Sequence, residues 1–259
     1  MHDIDSFEKL AIQVAREAGS LLLNRFHTEF KISHKGTVDL VTDVDLAAES
    51  LIVDRIREAF PTHSILAEER HSDLRDEEIK WVIDPLDGTT NYAHGYPVFS
   101  VSIGLEVAGI VEVGSVFDPA RNELYTARRG RGAFCNKDPL HVSSVQSLSS
   151  SLLATGFPYD IRTSKVTNLD SFCAFALRSH GVRRSGSAAI DLCHVAAGRL
   201  DGFWELKLNP WDCAAGYLMV REAGGKVTNY HGRPGSIYER EVIASNGLIH
   251  NEMINTITN

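Results

Sequence analysis

The chain has 259 residues, 43% hydrophobic and 23% charged, ordinary values for a globular protein with room for one large domain or two small ones. No apolar run reaches the roughly 18 residues of a membrane span, and 34 acidic against 26 basic residues, a net charge of -8, disfavour general nucleic-acid binding, which needs a cationic surface. The same charge means that an anionic substrate would need local positive charge from a metal ion, a helix end or a few basic residues.

The opening "MHDIDSFEKL" is acidic and lacks the basic-then-apolar plan of an export signal, so a cytoplasmic setting is expected. Phe7, Leu10, Ala11, Val14, Ala18, Leu21 and Leu22 share one face at helical spacing, with Asp5 and Glu8 as a capping pair. "KISHKGTVDLVT" reads as a loop or short hairpin, in which Lys35 is a candidate gate residue. A second helix runs from about Asp43 to Phe60, stops at Pro61, and buries Leu46, Ile52, Val53, Ile56 and Phe60. "SILAEE" and "KWVIDP" read as short strands. "FSVSIGL" alternates large with small residues, a half-buried strand. "GIVEVGSVFDP" and "ELYTAR" continue the sheet, with Gly109 and "DPARN" as turns.

Past the serine-rich "SSVQSLSSSLL" the pattern changes, which predicts an N-terminal α+β domain over 1–145 and a C-terminal α/β domain over 146–259. The latter reads as strand "LLATGF", a helix around 164–178, helix "SAAIDLCHVAAGRL", strand "DGFWEL", helix "PWDCAAGYLMVREA", strands "KVTNY" and "EVIASN", and a last helix. Cys135, Cys173, Cys193 and Cys213 form no Cys-x-x-Cys pair and read as reduced, mostly buried thiols. His194 beside Cys193 reads as helix packing rather than half a metal site.

The acids carry the chemistry. Thr42 can cap the second helix with Asp45 three positions on, and Asn209 can cap the helix that starts at Pro210, with Asp212 in the same place. Asp87 can cap a short helix starting at Gly88, and Glu68 and Glu69 can be solvated acids. Each reading is adequate alone. Together, Glu68 and Asp84 end neighbouring predicted strands, where open α/β sheets form ligand crevices. If Glu68, Asp84, Asp87 and Asp212 share that crevice, each close pair costs about 4 kcal/mol at 4 Å and an effective dielectric of 20. No Lys or Arg lies in "DPLDGTTN" or "NPWDCAAG" to offset this, and bound divalent cations would. An all-oxygen donor set favours Mg²⁺ or Mn²⁺ over Zn²⁺, and the amides of Gly88 and Thr89 suit phosphate oxygens.

"DPLDGTTN" and "NPWDCAAG", in order and with "AEE" upstream, resemble the inositol monophosphatase family of metal-dependent, lithium-sensitive phosphatases. "DLVTDVD", "GRGAFCN", "GSAAIDL" and "EAGG" extend the resemblance over nearly the whole chain. It implies an α/β fold of the inositol monophosphatase / fructose-1,6-bisphosphatase type, a layered αβαβα sandwich, usually dimeric. It implies that Glu68, Asp84 and the Leu86 carbonyl hold one Mg²⁺, that Asp84, Asp87 and Asp212 hold a second, and that Glu68 reaches a third through waters. Thr89, paired with Asp45, would help Glu68 take a proton from the attacking water. The Gly88 and Thr89 amides would bind phosphate, Glu205 would hydrogen-bond a ring hydroxyl, and the backbone at Ser187 and Ala188 would touch substrate.

The reading is therefore a Mg²⁺-dependent phosphomonoesterase, a homodimer acting on inositol monophosphates. Fructose 1,6-bisphosphate, histidinol phosphate and adenosine 3',5'-bisphosphate are alternative substrates. Arg183 and Arg184 precede "SGSAA", and Arg184 is a candidate contact for a second substrate phosphate. "ARRGRGAF" matches a turn of the family rather than an RNA-binding patch. The reading from another class is a docking protein for RNA or transcription machinery.

Overall fold

The computed structural model describes residues 3–34, 40–70, 72–73 and 78–258; Lys35 lies outside them. The chain starts with helix α1 (Ile4–Arg25), a short antiparallel hairpin of β1 (Ile32–His34) and β2 (Leu40–Thr42), and helix α2 (Asp43–Ala59). An eight-stranded sheet follows, built from β3 (Ser64–Ala67), β4 (Ser72–Asp73), β5 (Ile79–Asp87), β6 (Ser100–Val107), β7 (Ile110–Asp118), β8 (Glu123–Arg128), β9 (Gly132–Cys135) and β10 (Asp138–Pro139), with helix α3 (Thr89–Ala93) between β5 and β6. Its spatial order is β10-β9-β8-β7-β6-β5-β3-β4, and only β3 and β5 run parallel.

The second sheet has five strands, β11 (Leu152–Thr155), β12 (Gly181–Arg183), β13 (Gly202–Leu206), β14 (Lys226–Thr228) and β15 (Glu241–Ser245), in the order β12-β11-β13-β15-β14. Helices α4 (Leu169–Ala176), α5 (Ala188–Ala196), α6 (Pro210–Glu222) and α7 (His250–Thr258) complete the chain.

Apolar faces set the layers. Phe7, Val14 and Leu22 of α1 and Ile52 and Ile56 of α2 pack on Trp81, Ile103 and Phe117 of the large sheet. The sheet's other face, with Val82, Val116 and Tyr125, packs on Leu192 of α5 and Tyr217 and Leu218 of α6, which also cover Phe203 and Val242 of the small sheet. Phe175 of α4 and Met253 of α7 close the far side on Leu153, Trp204 and Ile243. The result is an αβαβα sandwich, as the resemblance implies.

Several local expectations need correction. Helix α1 is capped by Asp3, which accepts from the Ser6 N–H at 3.2 Å, while Asp5 and Glu8 both face Arg128. Strand β6 is buried on both faces, not one, because α6 covers its small residues. On α2, Leu46 is half-buried, while Asp45 and Glu49 are 1% exposed. The helix expected around 164–178 starts only at Leu169. Asn168, at φ 72, donates to the Thr155 hydroxyl and the Gly156 carbonyl and accepts from Trp204 Nε1, which holds it out of a helix. Strand β12 was not foreseen. Among the thiols, Cys193 and Cys213 are buried, Cys135 is half-buried and Cys173 is exposed.

Candidate active site

Parallel pairing brings the first two acids together. Ala67 of β3 lies opposite Ile83 of β5, so the next residues, Glu68 and Asp84, leave the same end of the sheet. The Glu68 N–H donates to the Ile83 carbonyl at 3.2 Å, extending that register by one step. Pro85 has no N–H, and the ladder with β6 slips between Asp84, opposite Ser102, and Asp87, opposite Ser100. β5 thus runs on through Asp87 instead of ending at Asp84. The Leu86 N–H turns onto Asp84 Oδ1 at 3.0 Å. Gly88, not Asp87, occupies the cap of α3 at φ 95, where a Cβ would lie 2.8 Å from the Val98 carbonyl oxygen.

The small residues of β6 and β7 explain how Asp212 arrives. A Cβ on Gly104 would lie 2.8 Å from that of Ala214, and one on Gly114 would lie 3.0 Å from the Ala215 backbone. This close approach seats the first turn of α6 beside the end of β5. There the Asn209 N–H donates to Asp212 Oδ2 at 2.7 Å, the expected capping arrangement. Asp45 occupies the matching position on α2. Its Oδ2 accepts from the Thr42 N–H at 2.9 Å and from the Thr42 hydroxyl, while its Oδ1 accepts from Thr89 Oγ1 at 2.9 Å. Asp87 Oδ2 accepts from Ser187 Oγ at 2.5 Å and from the Ala189 N–H at 2.9 Å, which ties β5 to the start of α5.

These elements enclose a cavity of about 690 Å³ whose walls carry seven acids (Glu68, Asp84, Asp87, Asp160, Asp191, Glu205 and Asp212) against three basic residues (Arg184, Lys207 and Arg240). Burial, and then the charges of Glu68, Asp87 and Asp212, push Asp84 well above the usual carboxylate range. Burial, then Glu68, does the same to Asp212. Burial raises Asp87 to about 6 despite the opposing donors from Ser187 and Ala189. Among the described residues no three such side chains close on a single point as ligands of one ion. Acid groups outnumber basic ones on its walls, so ionising them together without a cation would leave negative charge uncompensated. An all-oxygen set of this kind fits hard divalent cations.

The inositol monophosphatase family model matches residues 3–259. The chain belongs to the inositol monophosphatase family. A relative named inositol-1-monophosphatase, from Synechocystis sp., is 46% identical over 253 residues, covering 97% of this chain and 88% of the relative. The Nus factor SuhB of Escherichia coli is 43% identical over 248 residues, covering 95% of this chain and 93% of that protein. A solved inositol monophosphatase from Anabaena (Nostoc) sp. superposes with a TM-score of 0.90 at 44% identity, covering 99% of this chain and 96% of that one. The family is metal-dependent and acts on small phosphate monoesters.

Within this inositol monophosphatase fold, Glu68, Asp84, Leu86, Asp87, Gly88, Thr89, Ser187, Ala188, Glu205, Asp212 and Arg184 all line the cavity. Asp45 does not, and joins it through Thr89. Arg183 is exposed on β12 and is absent from the lining. Sequence reasoning missed Asp160, Asp191, Lys207 and Arg240. The first three lie on segments read only as loop, helix or strand end, but "GSAAIDL" did point to the stretch that holds Asp191. The turn in "ARRGRGAF" is a β8–β9 hairpin, and two of its three arginines have acidic partners. Arg128 pairs with Asp5 and Arg129 with Glu112, and Glu222 accepts from the Gly130 and Gly132 N–H groups at 2.9 Å. His194 lies in α5, where burial lowers it to about 4, and belongs to no metal cluster among the described residues.

Proposed function

We propose that this chain hydrolyses inositol monophosphates, such as myo-inositol 1-phosphate, to inositol and phosphate with Mg²⁺. One observation carries the reading: Asp84, 2% exposed, shares one cavity with Glu68, Asp87 and Asp212, whose charges all bear on it. On this reading Glu68, Asp84 and the Leu86 carbonyl would hold one cation, Asp84, Asp87 and Asp212 a second, and Glu68 a third through waters. Mn²⁺ suits the same donors. Bound divalent cations would supply Lewis-acid charge that makes water a nucleophile near neutral pH and offsets charge on the ester oxygens.

The protein's own groups do the rest. Thr89 Oγ1, donating to Asp45 Oδ1 or to the Leu86 carbonyl, turns lone pairs toward the attacking water, whose proton passes to Glu68. The Gly88 and Thr89 amides orient the phosphate for in-line displacement, in which the new P–O bond forms opposite the bond to the departing alkoxide. Glu205 accepts a hydrogen bond from a ring hydroxyl, and the backbone of Ser187 and Ala188 completes the substrate's seat. Phosphate release with Mg²⁺ tests this. Asp212→Asn should cut turnover at least 100-fold with the fold intact, and near-normal turnover would remove Asp212 from the site.

Arg184, an exposed residue of the cavity lining, supports a second substrate reading, a bisphosphate such as fructose 1,6-bisphosphate. A release panel over inositol 1-phosphate, fructose 1,6-bisphosphate and histidinol phosphate separates these. The name of the Escherichia coli relative suggests a transcription role. The pairing of Arg128 with Asp5 and of Arg129 with Glu112 weighs against RNA docking at that turn. A homodimer has a face to use on α4, where Leu169 is 48% exposed and Leu177 85%. No helix among the described residues is long and apolar enough to cross a membrane.

A further inference from the structure

Asp191 stands outside every role given above. It lies in the first turn of α5, is 2% exposed, and lines the same cavity as Glu205 and Arg184. The helix start does not need it as a cap. The Ala189 N–H is already taken by Asp87 Oδ2 at 2.9 Å, and the Ile190 N–H by Ser187 Oγ at 3.3 Å. The Ser185 hydroxyl and the Arg184 guanidinium are the polar groups near enough to favour its charged form. Burying a carboxyl on so little compensation costs stability, and burial holds Asp191 up at about 8. Residues that break the rules of a stable core in this way cluster at functional sites.

Glu205 is the neighbouring case. Its carboxylate lies against the backbone of Gly156, where a Cβ would come within 2.1 Å of Oε1, and the charges of Asp191 and Arg184 both reach it. One buried and one half-buried carboxyl with a guanidinium near both match the alternating donors and acceptors of adjacent ring hydroxyls. They offer nothing to a phosphate ester without hydroxyls.

We propose that Asp191, beside Glu205, hydrogen-bonds a hydroxyl of the substrate's polyol ring and thereby selects a polyhydroxylated leaving group. Asp191 is a specificity residue, and the proposal rests on the inositol phosphate reading. The substrate it favours is a cyclic polyol monophosphate, and the ester it ignores is an aryl phosphate.

The test compares wild type, Asp191→Ala and Asp191→Asn on myo-inositol 1-phosphate and p-nitrophenyl phosphate with saturating Mg²⁺, with melting temperatures alongside. Asp191→Ala should lower kcat/KM for inositol phosphate about tenfold, mainly through KM. It should leave the aryl ester within about threefold and the melting temperature unchanged or higher. Asp191→Asn, which keeps a donor and an acceptor, should recover most of the loss. Equal losses on both esters, no loss on either, or an Ala variant that melts lower or does not fold would assign Asp191 to structure and overturn the proposal. Wild-type protein that does not favour inositol phosphate over the aryl ester would sink the parent reading and this one together. A selective wild type with an equally selective Ala variant would sink this one alone.

Discussion

Thr89 Oγ1 lies 2.9 Å from Asp45 Oδ1 and 3.0 Å from the Leu86 carbonyl oxygen, so one hydroxyl proton faces two acceptors. Asp45 is itself fixed by Thr42 at the start of α2, so a helix cap orients a candidate catalytic hydroxyl. Thr89→Val keeps the shape and removes the hydroxyl. It should lower kcat about 100-fold or more while moving the melting temperature by only about 2–4 °C. Thr89→Ser should restore most of the rate. A Val variant with wild-type kcat would take Thr89 out of the reaction.

Stability of the metal-free protein should fall as pH rises from about 6.5 to 8. Asp191, held up to about 8, and Asp84, Asp212 and Glu205, held well above their ordinary range, keep protons in the folded state that the unfolded chain has lost. A native state that binds more protons loses stability with rising pH. Below about 6.5 the trend is masked, because buried His194 and His250, each lowered to about 4, act in the opposite direction. Mg²⁺ should offset the carboxylate charge, so the melting-temperature gain on adding Mg²⁺ should widen from pH 6.5 to 8. A gain independent of pH would contradict the acid cluster as the binding site.

Gly156→Ala should behave like Glu205→Gln. The added Cβ would fall 2.1 Å from Glu205 Oε1 and must displace that carboxylate. Both variants should raise KM for inositol phosphate several-fold and leave KM for an aryl phosphate nearly unchanged. Steady-state kinetics on the two esters checks this, and parallel effects on both would remove Glu205 from ring recognition.

Leu169 and Leu177, 48% and 85% exposed at the two ends of α4, offer apolar surface that a second copy would cover in the proposed homodimer. Light scattering should find wild-type protein dimeric and Leu177→Glu shifted toward monomer, with a circular dichroism spectrum unchanged. A dimeric variant would move the subunit contact off α4, and a monomeric wild type would contradict the homodimer itself.

Much of this was legible in the sequence, for identifiable reasons. The faces of α1 and α2 follow from apolar spacing, and the capping positions of Asp45 and Asp212 from Thr42 and Asn209 three residues earlier. The motifs "DPLDGTTN" and "NPWDCAAG" named most of the cavity wall. What stayed hidden depends on contacts distant in the chain. The small residues of "FSVSIGL" looked solvent-facing because nothing local shows that α6 covers Gly104. Asn168 delays α4 through bonds to Thr155, Gly156 and Trp204, none of them helical neighbours. Nothing local marks Asp191, because the α5 start is capped by Ser187 and by Asp87, which is 102 residues from Ala189 in the chain.

The most direct test of the central claim is phosphate release from myo-inositol 1-phosphate by EDTA-treated protein as Mg²⁺ is added back. The proposed site predicts no turnover without the cation and saturable recovery at up to millimolar Mg²⁺, lost in Asp84→Asn. Turnover that survives EDTA, or recovery unaffected by Asp84→Asn, would contradict it.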